Sequence, residues 1–274
     1  YVWTGFDYLG EPTPFNSDNT NLLNFRTDPS KRAELEKQLA ELERTQPPSR
    51  SSYFGIVDLA GFPKDRYYLY QSHWRPDLPM AHILPHWNWE GREGQIIPVH
   101  VYTSGTEAEL FVNGKSYGRK MKETGKDFRL VWDSVVYQPG YVKVVAYKDG
   151  KQWAEDEVQT TGKAQKIRLS ADRASVAGSE DELAFVTVTI VDGSGRKVPT
   201  ACLPLKVEVT GCGELVATDN GDPTSFTPFQ SAGRESFNGL ALAIVRGKKG
   251  AAGKMQVQVS GAGLESASLE IEVK

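Results

Sequence analysis

The sequence predicts a mainly β protein: two immunoglobulin-like β-sandwiches preceded by the end of an α/β unit. Three observations carry that reading. From about residue 76 onward, apolar residues recur with period two in strand-length pieces. Asn113-Gly114 and Asp149-Gly150 sit between such pieces, the strongest short-range hairpin signal. Helical periodicity is confined to the first quarter of the chain.

Residues 1–75 are mixed. YVWTGFDY reads as a strand that begins at Tyr1 without leader or cap, so the chain is expected to be the tail of a longer polypeptide. Asp28 is placed as an N-cap with Pro29 at the first helical position. Leu35, Leu39 and Leu42 then recur at helical spacing, which predicts a helix over about 28–45, stopped by Pro47 and Pro48. SSYFGIVDLAGFPKDRYYLYQSHW follows as a short apolar segment, a Gly-Phe-Pro turn and an aromatic helix. Val2, Phe6 and Tyr8 are expected to lack neighbours within this chain.

Residues 76–163 carry the first predicted sandwich, with strands in PVHVYT, AELFV, FRLVW, YVKVVAY and QWAEDEV. TTGKAQ reads as a linker. Residues 164–274 repeat the pattern in KIRLSAD, LAFVTVTIVD, LPLKVEV, LALAIVR, MQVQVS and SLEIEVK, separated by Gly-, Ser- and Asp-rich turns, enough for a second sandwich.

The net charge of −3 gives no electrostatic basis for binding nucleic acid. No apolar run approaches the roughly 20 residues that cross a bilayer as a helix. Cys202 and Cys212 flank LPLKVEVTG; an extended stretch at ~3.3 Å per residue holds them outside disulfide range, so both are read as free, buried thiols.

Glycosidic hydrolysis by the usual route needs two carboxylates facing each other across the bond. Asp7, Glu11, Asp58 and Asp65 are the acids of the first segment, and no spacing marks a catalytic pair among them. Asp7 and Glu11 stand where strand gives way to loop, pointing into a site or orienting the loop through backbone N–H groups. His82 and His86 have helical metal-ligand spacing, but Pro79 and Pro85 exclude a regular helix, so no metal site is expected. In HWNWEG (86–91), Trp87 and Trp89 are candidates for sugar stacking; the competing role is packing at a sandwich edge. Asp219 and Asp222 offer too few oxygens for calcium, and Asn220-Gly221 is read as a turn. No GxGxxG motif occurs.

Three stretches taken together resemble a known family. YVWTGFDYLGEPTP and SSYFGIVDLAGFPKDRYYLYQSHW resemble the end of the catalytic barrel of glycoside hydrolase family 2 β-galactosidases of the Bacteroides type. HILPHWNWEG with ELFVNGKSYG resembles the sandwich that follows that barrel. DNGDPTSFTPFQS with ESFNGLALAIVR resembles the family's further immunoglobulin-like domain. The resemblance spans essentially the whole chain and implies that residues 1–75 are the last strand and helix of a (β/α)8 barrel, whose site lies at the strand C-termini. It implies that Trp3 lines the floor of the galactosyl subsite and that Glu11 is a further substrate contact. Both catalytic glutamates would precede Tyr1, so no catalytic residue is expected in this chain. LLNFRTDPSKRAELEKQLAELER does not map onto the family pattern and reads as an inserted helix. The implied partners are the rest of the parent polypeptide and a galactoside, in a periplasmic or extracellular setting, with room for homo-oligomer contacts and no cofactor. The alternative from another class is a non-catalytic carbohydrate-binding or adhesive module.

Overall fold

The computed structural model describes residues 5–9, 50–123 and 125–274. The helix expected near 28–45 lies outside these residues.

Segment 5–9 runs beside 51–57, with Phe6 bridging Val57 in parallel sense and Leu9 bridging Ser51 in antiparallel sense. Helix α1 (Asp65–Trp74) follows Pro63. It has no side-chain cap, but Asp65 in the first turn suits the positive end of the helix. The aromatic residues of α1 do not form a core of their own: Tyr68 stacks on His82 of the next unit, ring centroids 3.9 Å apart.

Seven strands build the first sandwich: β1 (Ala81–Leu84), β2 (Val99–Thr103), β3 (Glu107–Val112), β4 (Lys115–Met121), β5 (Leu130–Trp132), β6 (Tyr141–Lys148) and β7 (Lys151–Gln159). They form an antiparallel sheet of order β1-β2-β5 and another of order β4-β3-β6-β7. Alternate residues point inward as the pleat requires: Ala108, Leu110 and Val112 on β3, and Val142, Val144 and Ala146 on β6. Trp132, Trp87 and Tyr137 fill the space between the sheets. Each Val or Leu so buried contributes about 1.5–3 kcal/mol of transfer free energy. The edge strand β4 is KSYGRKM, exposed along nearly its whole length and cationic, which discourages edge-to-edge pairing.

Nine strands build the second: β8 (Lys166–Ala171), β9 (Ser175–Val176), β10 (Leu183–Val191), β11 (Pro204–Gly211), β12 (Gly213–Asp219), β13 (Gly233–Glu235), β14 (Leu240–Gly247), β15 (Gly253–Gly261) and β16 (Ala267–Val273). One sheet has the order β12-β14-β10-β8 and the other β13-β11-β15-β16-β9. Val186, Val188 and Ile190 of β10 meet Val257 and Val259 of β15 in the core between them.

Both predicted hairpin turns form. Asn113 and Gly114 have φ of 49° and 83°, and Asp149 and Gly150 have 52° and 73°. Positive φ at both central residues marks a type I′ turn, whose twist matches the flanking strands. A third such turn, Asn238-Gly239, joins the bridged pair Phe237 and Leu240.

The linker is not loose. Thr160 Oγ1 donates to the Trp87 carbonyl (2.6 Å), Thr161 exchanges two hydrogen bonds with the Asn88 amide (2.6 and 3.1 Å), and Gly162 N donates to Asp192 Oδ2 (2.9 Å). Residues 160–162 are therefore held from both sandwiches.

The cysteines depart from expectation in one respect. Both are free, and β11 does run extended between them. They are not both buried: Cys202 is exposed and Cys212 half-buried. Each sits just beyond a strand end, where the inward–outward alternation no longer applies.

Candidate functional site

Segment 5–9 joins the two residues that resemblance assigns to substrate, Trp3 and Glu11, both of which lie outside the described residues. What the structure describes is how the intervening segment is held. Asp7 N donates to the Val57 carbonyl (2.9 Å), and Ser52 N donates to the Tyr8 carbonyl (2.9 Å). The Asp7 carboxylate is buried. Its Oδ1 accepts from Ser52 Oγ (3.1 Å) and Gly55 N (2.9 Å), and its Oδ2 pairs with the Lys64 ammonium. Two donors and an ion pair make Asp7 a tie between segments, the loop-orienting role named among the sequence alternatives. Gly55 is required here, because a Cβ would lie 2.3 Å from Asp7 N.

Three apolar side chains of these two segments are exposed. Phe6 is 65% exposed, Leu9 48% and Phe54 45%.

Asp7, Tyr53 and Gly55 of the pairing line a cavity of about 640 Å³ where all three parts of the chain meet. Asp58 and Phe62 reach it from the first segment, His86 from the first sandwich, and Lys197, Asn220 and Phe237 from the second. A neighbouring space of about 450 Å³ shares Asp65, His86 and Lys197 with it. Asp58 is the perturbed acid of the site. Burial raises its pKa from 3.8 to about 6, against the lowering effect of the Phe62 and Ala60 N–H groups and Lys64. Burial also lowers the pKa of His86, so both groups favour their neutral forms more than they would in water. Gly221 is pressed against Asp58: a Cβ there would lie 2.1 Å from Asp58 Oδ2.

HWNWEG does not run extended. Trp87 is 1% exposed, donates to the Gln138 carbonyl (3.0 Å) and meets Tyr137 edge to face, so its ring offers no face to a ligand. Trp89 is half-buried, with one side stacked on His86 (4.8 Å) and Arg92 over its ring (5.2 Å). His82 and His86 go to separate partners: His82 Nε2 lies 2.8 Å from Asp65 Oδ1, and His86 Nδ1 accepts from Asn88 N. Among the described residues, no group of three His, Cys, Asp or Glu side chains converges as a metal site. Asp222 Oδ1 accepts from Thr224 N (2.8 Å) and Thr224 Oγ1 (2.7 Å), stabilising its own turn.

Sequence reasoning did not anticipate Arg50 and Arg234. Arg234, only 3% exposed, donates to the carbonyls of Thr218 (2.7 Å), Thr227 (3.1 Å) and Pro228 (2.9 Å). It thereby shapes the loop after β12 from inside. Arg50 grips the same loop from outside, its Nη1 donating to the carbonyls of Ser225 and Thr227, each at 3.0 Å.

Comparison with known proteins fits this arrangement. Residues 167–270 match the model described as glycoside hydrolase family 2 C-terminal domain 5, and residues 94–154 match a domain of unknown function (DUF4982). The chain is 40% identical over its whole length to the β-galactosidase BoGH2A of Bacteroides ovatus, covering 28% of that protein. It is 31% identical to a putative β-glucuronidase of Formosa agariphila over 90% of the chain and 21% of that protein. The chain thus spans about a quarter of the length of these relatives. Among solved structures, a β-glycosidase from Bacteroides vulgatus superimposes with a TM-score of 0.77 at 37% identity, over 82% of this chain and 28% of that one. A family 2 member from Bacteroides cellulosilyticus reaches 0.82 at 27% identity, over 99% and 35%. With a family C-terminal domain matched over the second sandwich and whole-chain identity to a family 2 enzyme, this chain belongs to glycoside hydrolase family 2, as a C-terminal portion of one of its members.

Proposed function

We propose that the chain is the C-terminal portion of a retaining β-galactosidase that releases terminal β-galactosides from oligo- or polysaccharides. The observation that carries this reading is the 40% identity to a β-galactosidase sustained across the entire chain, first segment included. Residues 1–75 close the catalytic (β/α)8 barrel, and 76–163 and 164–274 are two immunoglobulin-like domains behind it. Trp3 stacks on the apolar face of the galactosyl ring, and Glu11 contributes a polar contact beyond it. The nucleophile and acid/base glutamates belong to the part of the enzyme before Tyr1. One forms the galactosyl-enzyme and the other donates and then removes the proton. The parent works in the periplasm or outside the cell.

The contribution of this chain is architectural. It holds one wall of the site through Asp7, Ser52, Gly55 and Lys64 and keeps that wall attached to the sandwiches. A carbohydrate-binding module is less well supported, because Trp87 is in the core and Trp89 alone would have to carry the stacking.

The test is turnover of nitrophenyl β-galactoside and β-glucuronide by the longer protein and by residues 1–274 alone. The expected result is galactoside hydrolysis by the former and none by the latter. Preference for the glucuronide would transfer the reading to the relatives' other named activity, and hydrolysis by the 274-residue chain would overturn the assignment of the catalytic glutamates.

A further inference from the structure

Residues 50–58 are held on two sides. On one side they pair with 5–9, through the Asp7 contacts and the Phe6–Val57 and Leu9–Ser51 bridges. On the other they dock on the loop between β12 and β13. Arg50 makes that docking with four contacts. Its N donates to the Pro223 carbonyl (2.6 Å), its Nη1 reaches the Ser225 and Thr227 carbonyls, and its guanidinium lies 4.1 Å from the centroid of the Phe229 ring. Eight residues along, Asp58 touches Gly221 at the other end of the same loop.

The loop is built to receive these contacts without yielding. Arg234 fixes it from beneath at Thr218, Ser225, Thr227 and Pro228. Asn220 is buried and donates to the Glu235 carbonyl (2.9 Å). Charged donors on carbonyls are among the stronger hydrogen bonds, and here two guanidinium groups on opposite faces share the Thr227 carbonyl.

We propose that the loop between β12 and β13 of the second sandwich is a rigid bracket that sets the position of residues 50–58 and, through them, of residues 5–9, with Arg50 as a positioning residue for the glycosidase site. The consequence for that site rests on the function proposed above; the bracket itself does not. The second sandwich is then part of the catalytic frame. Misplacement of a site wall by about 1 Å can cost on the order of a hundredfold in rate, so a remote bracket has leverage.

The experiment uses Arg50→Met, which keeps an apolar stem against Phe229 but has no donor, and Arg50→Lys, whose ammonium can donate to both carbonyls. Amide hydrogen exchange on the 274-residue chain is read over 5–9, 51–57, β10 and β14. The expected result for Arg50→Met is at least tenfold faster exchange at 5–9 and 51–57, unchanged exchange in β10 and β14, and substantial recovery in Arg50→Lys. No acceleration at 5–9 and 51–57 would overturn the bracket. Uniform acceleration through β10 and β14 would overturn it too, because Arg50 would then stabilise the sandwich rather than place the segment.

In the longer protein, Arg50→Met should lower kcat at least tenfold with a smaller change in KM, Arg50→Lys should restore most of it, and Lys254→Met, in the exposed ion pair with Glu270, should leave it unchanged. Unaltered kcat in Arg50→Met despite faster exchange would remove the catalytic part of the proposal. Absence of any glycosidase activity in the unmutated longer protein would instead remove the proposed function, with the exchange result still deciding the bracket.

Discussion

Replacing Asp58 with Asn should stabilise the protein at neutral pH and leave it unchanged in acid. The pKa of Asp58 in the folded chain is raised from 3.8 to about 6, chiefly by burial. A shift of about two units is worth ~3 kcal/mol at about 1.4 kcal/mol per unit. Asp58 borders the junction cavity, where solvent screens part of that cost, so we take about half, ~1–2 kcal/mol. The sign follows from proton uptake. Between pH 3.8 and about 6 the folded state binds more protons at this site than the unfolded state, so stability falls as pH rises through that window. Above it the ionised, partly desolvated carboxylate is a standing cost. Asn removes the charge and keeps an oxygen to accept from Phe62 N, the 2.8 Å bond that closes the turn. Urea unfolding at pH 4, 5, 6 and 7.5 would measure the difference directly. The variant should be more stable by ~1–2 kcal/mol at pH 7.5, with the gap closing toward pH 4. A variant less stable than the parent at pH 7.5, or a gap independent of pH, would refute the reasoning.

Asp192 should behave in the opposite sense. Burial pushes its pKa up, but the N–H groups of Gly162, Arg196 and Ser194 outweigh this and hold it below the ordinary carboxylate value. Its stabilising effect is therefore complete above the unfolded-state value and is lost as pH falls through the folded one. Asp192→Ala should cost about 1–3 kcal/mol in urea unfolding at pH 7 by stranding those donors, and less in acid. Gly55→Ala should loosen the pairing of 5–9 with 51–57, since the added Cβ would sit 2.3 Å from Asp7 N; a cost of about 1–3 kcal/mol is expected, read as faster amide exchange at Ser52 and Asp7.

The sandwich strands were legible where the pleat buries one face. YVKVVAY and MQVQVS alternate in sequence and in burial, and Asn-Gly and Asp-Gly marked hairpin turns by the positive φ they tolerate. Strands β1, β4, β9, β12 and β13 were not anticipated. In β4, KSYGRKM has no inward face to show, β9 is two residues long, and β12 carries a register shift between Leu215 and Ala217 that breaks its period. The junction was illegible for a different reason. Asp58, His86, Lys197 and Asn220 are brought to one cavity by tertiary packing, and no local spacing encodes that. The turn at Asn220-Gly221 could be read from its residues; its seat against Asp58 could not. Arg234 and Arg50 gave no signal either, because a buried arginine bonded to carbonyls has the same letter as a solvated one.

The ties around residues 160–162 have a bearing on how such proteins recombine. The two matched family models leave this stretch between them, ending at residue 154 and resuming at 167, as if it were a free seam. A crossover there would separate Thr160 and Thr161 from Trp87 and Asn88, or Gly162 from Asp192, and strand polar groups on both sides of the cut. A chimera that exchanges the second sandwich must therefore keep a side-chain amide at 88 and a carboxylate acceptor at 192 as well as the sandwich itself. The seam is thus a set of three patches separated in sequence, and a cut that respects only one of them breaks the set.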